Sequence, residues 1–188
     1  MKIGILGGTF NPIHIGHLIL AEEVREKLLL DRIIFVPTNI APHKKNSDVA
    51  KASDRFKMLK LATSGNKFFK ASNIEIKRPG PSFTIDTLRE FKRIYADDEL
   101  YFIIGSDLLK YLEAWKDLRD ILKMVKFVVA TRPGYPLEKI PSYIATVAIR
   151  AVDISAFEVR EAIARKQSFR YLVPDVVYKY IVANKLYS

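Results

Sequence analysis

The chain has 188 residues, 49% of them apolar and 28% charged, with no cysteine and a formal net charge of +10. That length and balance suit one globular domain with a buried core and exclude a disordered chain. Without cysteine there is no disulfide, thiolate metal site or thiol nucleophile, and no apolar run approaches the ~18 residues of a membrane span.

The first eight residues lack the apolar region and cleavage site of a signal peptide, so the expected location is the cytoplasm. The excess positive charge implies a polyanionic partner: nucleic acid, an acidic surface or nucleotide phosphates. Lysine enrichment as a response to heat would produce the same excess.

Residues 3–6 read as a buried parallel strand, with Gly7-Gly8 as a tight turn after it. His17, Leu20, Ala21, Val24 and Leu28 recur at helical spacing and predict a helix of about four turns. Residues 32–36 form a second apolar strand closed by Pro37. A helix is expected around residues 54–63 with Ser53 as its N-cap, and residues 73–77 alternate apolar and polar. Ile85, Leu88, Phe91 and Tyr95 mark another helix, and residues 100–104 and 125–131 two more buried strands. Ser155-Ala156-Phe157-Glu158 is a capping-box pattern opening a helix, and Pro174 suits the first turn of a last one. Alternating strands and helices predict an α/β fold with a parallel sheet and a helical C-terminal region, as one domain over residues 1–188.

Between the first strand and first helix stands Gly7-Gly8-Thr9-Phe10-Asn11-Pro12-Ile13-His14-Ile15-Gly16-His17. Ligands of open α/β sheets bind beyond the carboxyl ends of strands, where glycines let backbone amides approach phosphate oxygens. Two histidines three residues apart at a helix start can point toward one phosphate and stabilise its growing charge. The same spacing also suits zinc, although no cysteine or nearby third histidine completes a ligand set. His17 also lies on its helix's core-facing stripe, where a buried histidine with a structural role would sit.

This string closely resembles the phosphate-binding signature of the nucleotidylyltransferase superfamily, and the chain looks like a nicotinate mononucleotide adenylyltransferase. Residues 37–44, Pro81-Ser82-Phe83-Thr84-Ile85-Asp86-Thr87-Leu88, Gly105-Ser106-Asp107 with Trp115, and Thr131-Arg132-Pro133-Gly134-Tyr135 are similar to further family segments in the same order. The resemblance implies a Rossmann-like sheet with helices on both faces. It also implies direct attack by the mononucleotide's phosphate on the α-phosphorus of ATP, without a covalent enzyme intermediate.

By that resemblance His14, His17 and Arg160 are catalytic. Gly7, Gly8, Thr9, Phe10, Gly16, Lys45, Gly105, Asp107, Arg132 and Ser155 join them around ATP. Asn39, His43, Lys44, Thr84, Asp86 and Trp115 would hold the mononucleotide. Mg2+ would arrive on the ATP phosphates rather than in a protein cage. No nucleic-acid or membrane partner is expected, and a homo-oligomer is left open.

Ile154-Ser155-Ala156-Phe157-Glu158-Val159-Arg160 departs from the family's second signature, Ile-Ser-Ser-Thr-x-Ile/Val-Arg. Ala156 and Phe157 replace two hydroxyl residues, which puts that corner of the phosphate site in doubt. Asn11 stands where aspartate is usual. The alternatives within the superfamily are nicotinamide mononucleotide or phosphopantetheine as acceptor.

Overall fold

The computed structural model describes residues 1–41, 49–131, 140–141, 143–150 and 152–188. Its elements run β1 (Lys2–Gly8), α1 (Ile15–Lys27), β2 (Arg32–Pro37), α2 (Ala52–Thr63), β3 (Phe69–Ala71), α3 (Ile74–Lys77) and α4 (Thr84–Ile94). Then follow β4 (Glu99–Gly105), a 3-10 helix (Ser106–Ala114), α5 (Leu118–Met124), β5 (Lys126–Thr131), β6 (Ala145–Ala148), α6 (Ala156–Ala164) and α7 (Asp175–Ala183). No described helix is long and apolar enough to cross a membrane.

The strands pair in parallel in the order β3-β2-β1-β4-β5-β6. The middles of β1, β2, β4 and β5 are apolar and buried because both faces of the sheet are covered there. Leu6, Ile33, Phe35, Tyr101, Ile103 and Val128 face a core completed by Leu20 and Val24 of α1, Met58 of α2, Val159 of α6 and Val177 of α7. Their neighbours Ile5, Ile34, Phe102, Ile104 and Val129 face a second core with Ile85 and Leu88 of α4 and Ile121 of α5. This is the Rossmann-like sheet expected, and its strand order reverses direction between β1 and β4. A crevice therefore opens beyond the carboxyl ends of those two strands, where such sheets hold ligands.

Several local expectations change. Gly7 and Gly8 do not turn away but stay in β1, in register with Val36 and Pro37. Lys51, not Ser53, is the N-cap of α2. Residues 74–77, within the alternating stretch, form a short helix in which Ile74 and Glu75 are buried. Pro174 precedes α7 as its N-cap.

Candidate functional site

The loop after β1 is shaped by one aromatic anchor. Phe10 takes a left-handed φ of 47°, uncommon for a bulky residue, while its ring is buried against Gly8, His17 and Phe35. His14 follows as the N-cap of α1 with extended backbone, and it is only 3% exposed. Its ring lies 3.6 Å, centroid to centroid, from that of half-buried His17. The His14 backbone N–H donates to His17 Nδ1 at 3.3 Å, which leaves Nε2 as the ring position able to donate to a ligand.

Gly16 allows two close approaches at once. A methyl group there would stand 3.1 Å from His14 Nδ1 and 3.6 Å from the Ile154 carbonyl oxygen. The bare Cα thus seats the His14 ring and lets the segment before α6 lie against α1. Arg160, in the second turn of α6, completes the junction. Its Nη1 donates to the Asn11 carbonyl at 2.9 Å and to the Ala156 carbonyl at 3.0 Å. Residues 149 apart in sequence are thereby joined.

The start of α6 has the expected capping box. Glu158 N–H donates to Ser155 Oγ at 3.1 Å, and Ser155 N–H donates to Glu158 Oε2 at 2.8 Å. The Ser155 hydroxyl also donates to that carboxylate. Ser155's hydroxyl and amide, with His14 nearby, hold the Glu158 carboxyl below its ordinary range. The Ser155 hydroxyl therefore serves the cap in this structure. Phe157 is 61% exposed, with its ring centroid 5.9 Å from the Arg160 guanidinium carbon.

On the other side of the crevice, β4 ends at Gly105, and the Asp107 carboxylate folds against its Cα. Trp115 closes the 3-10 helix and packs edge-on against Phe102 and Phe127 at 5.9 and 6.0 Å. Phe102 in turn lies 3.6 Å from where a Gly7 side chain would begin, so one aromatic run links Trp115 to β1. Thr84 is the first residue of α4, and Asp86 pairs with Arg89 at 3.6 Å. Asn39 is tied to the segment before α4: its Nδ2 donates to the Arg78 carbonyl at 3.2 Å, and its N–H to Ser82 Oγ at 3.0 Å. His43, Lys44, Lys45 and Arg132 lie outside the described residues.

Comparison with known proteins bears on this arrangement. A cytidylyltransferase-like family model matches residues 5–162. The chain is 44% identical to a probable nicotinate-nucleotide adenylyltransferase of Geobacillus thermodenitrificans, spanning 100% of this chain and 86% of the relative. It is 42% identical to the nicotinate-nucleotide adenylyltransferase of Bacillus subtilis, spanning 100% and 98%. The chain belongs to the nicotinate-nucleotide adenylyltransferase family. Its fold is shared with the Plasmodium falciparum nicotinic acid mononucleotide adenylyltransferase complexed with NaAD. That chain is 18% identical with a TM-score of 0.80, and the match covers 99% of this chain and 97% of the other.

For a member of this family, the residues that sequence reasoning missed are those behind the crevice. Arg55 is 1% exposed. It donates to three carbonyls, Thr9 at 2.7 Å, Ala50 at 3.0 Å and Asn39 at 3.2 Å. One side chain thus ties the histidine loop to the segment after β2. Burial lowers its pKa, opposed by Tyr187 and Glu75, yet a guanidinium stays charged at any working pH. The available signal was an arginine on the spacing Arg55, Met58, Leu59, a stripe otherwise apolar. Glu75 has a matching role, accepting from the Thr87 hydroxyl at 2.7 Å. Burial pushes its carboxyl above the ordinary range, with Thr87 and Ser82 opposing. Among the described residues no group of three or more His, Cys, Asp or Glu side chains could hold a metal.

Proposed function

We propose that this chain transfers the adenylyl group of ATP to nicotinate mononucleotide, giving nicotinate adenine dinucleotide and pyrophosphate. The observation that carries the reading is the meeting of two distant signature segments at the carboxyl edge of β1. His14 and His17 stand beside Gly16, which the Ile154 carbonyl approaches from the segment before α6, and Arg160 of α6 reaches the same loop. Imidazole and guanidinium donors suit an anion, and the N-terminus of α1 adds its dipole.

ATP lies with its triphosphate along the loop from Gly7 to His17, and Ser155, Gly105, Asp107, Lys45 and Arg132 contribute at its margins. An oxygen of the mononucleotide's 5′-phosphate forms a bond to the α-phosphorus, and the bond from that phosphorus to the β-phosphate oxygen breaks. Pyrophosphate leaves with the electron pair. His17 Nε2–H and Arg160 stabilise the charge that grows on the phosphates, so catalysis rests on positioning and electrostatics. The donor set is one for anions. Magnesium therefore enters as part of the substrate, on phosphate oxygens and water. Asn39, Thr84, Asp86, Trp115, His43 and Lys44 hold the acceptor mononucleotide, its pyridine ring stacked on Trp115.

Direct transfer has a distinctive consequence. With ATP labelled at the α-phosphate and no acceptor present, the protein is expected to stay unlabelled and pyrophosphate to stay at background. Label retained on the denatured protein, or a pyrophosphate burst without acceptor, would contradict direct attack.

A further inference from the structure

The residues after α7 fold back onto the loop that carries the histidines. Lys185 and Tyr187 both take left-handed backbone, with φ of 49° and 67°. Residues other than glycine hold that conformation where surrounding contacts fix it. Here the bend delivers the Tyr187 hydroxyl to Asn11 Oδ1 at 2.9 Å. The same oxygen accepts the Ala50 N–H at 3.0 Å, while the Asn11 carbonyl accepts from Arg160. Asn11 thus joins the histidine loop to α6, to the stretch before α2 and to residues 184–188. A cleft of about 810 Å³ lies beside this junction, with Lys51, Phe157, Arg160 and Tyr187 in its wall.

We propose that Tyr187 is a positioning residue for adenylyl transfer, holding Asn11 so that the histidine loop stays in register with Arg160. This rests on the reading of that loop as the ATP phosphate site. Burial pushes the phenol well above its ordinary pKa, with Arg160 and Arg55 opposing, so the hydroxyl remains a donor throughout the neutral range. Asparagine suits the junction because its oxygen takes two donors without placing a negative charge beside the phosphates. The Tyr187 ring packs against the core formed by α1, α2, α6 and α7. Deleting only the hydroxyl therefore leaves the packing and removes one of the two donors that hold Asn11 Oδ1.

Tyr187→Phe is expected to lower kcat/KM for ATP about tenfold, the worth of one well-placed hydrogen bond. KM for nicotinate mononucleotide should stay within about twofold, because the bond acts on the triphosphate side. In an Asn11→Ala background the same substitution should change nothing further, since the accepting oxygen is gone. Losses that simply add would overturn the proposal. So would wild-type kinetics in Tyr187→Phe beside a crippled His17→Ala enzyme. If His17→Ala itself keeps full turnover, the phosphate-site reading fails and the role of Tyr187 fails with it. Should Tyr187→Phe not fold, Asn11→Ala alone tests the bond from its other end, and an unchanged kcat/KM for ATP there overturns the proposal.

Discussion

Replacing His17 with alanine is expected to reduce turnover by about 100- to 1000-fold, the usual cost of removing one donor aimed at developing charge. The fold should survive. His17 is half-buried at the start of α1, and its removal costs a capping interaction and the ring contacts with Phe10 and His14. Loss of a cap is worth about 1 kcal/mol, a melting shift of roughly 2–4 °C in a chain of this size. Steady-state kinetics and thermal melting of the same preparation separate the two effects. Turnover within a few-fold of wild type would remove His17 from the mechanism.

Arg55 should show the reverse profile, with the larger effect on stability. Arg55→Ala removes the donor shared by the carbonyls of Thr9, Asn39 and Ala50 and leaves a cavity where a long side chain was buried. Unpaired buried acceptors cost about 1–3 kcal/mol each, less where water can reach them, and a cavity adds to this. A loss of about 3–5 kcal/mol is expected, lowering the melting temperature by roughly 10 °C. Arg55→Lys keeps the charge, but an ammonium cannot span three carbonyls in one plane, so it should recover only part of the loss. Calorimetry of the three proteins gives the order directly. An Arg55→Ala protein that melts like wild type would mean that these carbonyls find other donors at no cost.

The long elements were legible because their patterns are long. Residues 3–6, 33–36, 100–104 and 127–130 are continuous runs without a polar side chain, and each lies within a strand and is buried there. The box from Ser155 to Glu158 was legible because both partners lie within one helical turn. The edge strands β3 and β6, of three and four residues, are too short to show a period. Their place is set by pairing with β2 and β5 rather than by local preference. The 3-10 helix after Gly105 was missed for a related reason: Leu112 is the one residue it buries.

In the site, residues 7–17 announced themselves through their own composition and through resemblance to a family. What surrounds them did not. The carbonyl of Asn11 meets Arg160, and its side chain meets Tyr187, contacts made by residues with no local relation in sequence. Ser155 illustrates a different limit. A serine that caps a helix and a serine that binds phosphate are the same residue in the same place, and in this structure its hydroxyl serves the cap. Phe157 looked damaging because it replaces a hydroxyl residue. Its ring lies exposed beside the guanidinium of Arg160, whose contact with the histidine loop is intact.

The central claim is adenylyl transfer to nicotinate mononucleotide. The most direct measurement is pyrophosphate release with ATP and magnesium, offering nicotinate mononucleotide and nicotinamide mononucleotide in separate reactions. The account predicts rapid, acceptor-dependent release with the nicotinate substrate and a much lower kcat/KM with the amide, since a site built to bind a carboxylate strongly rejects its uncharged counterpart. Preference for the amide would contradict the assigned acceptor, and no release with either would contradict the assigned reaction.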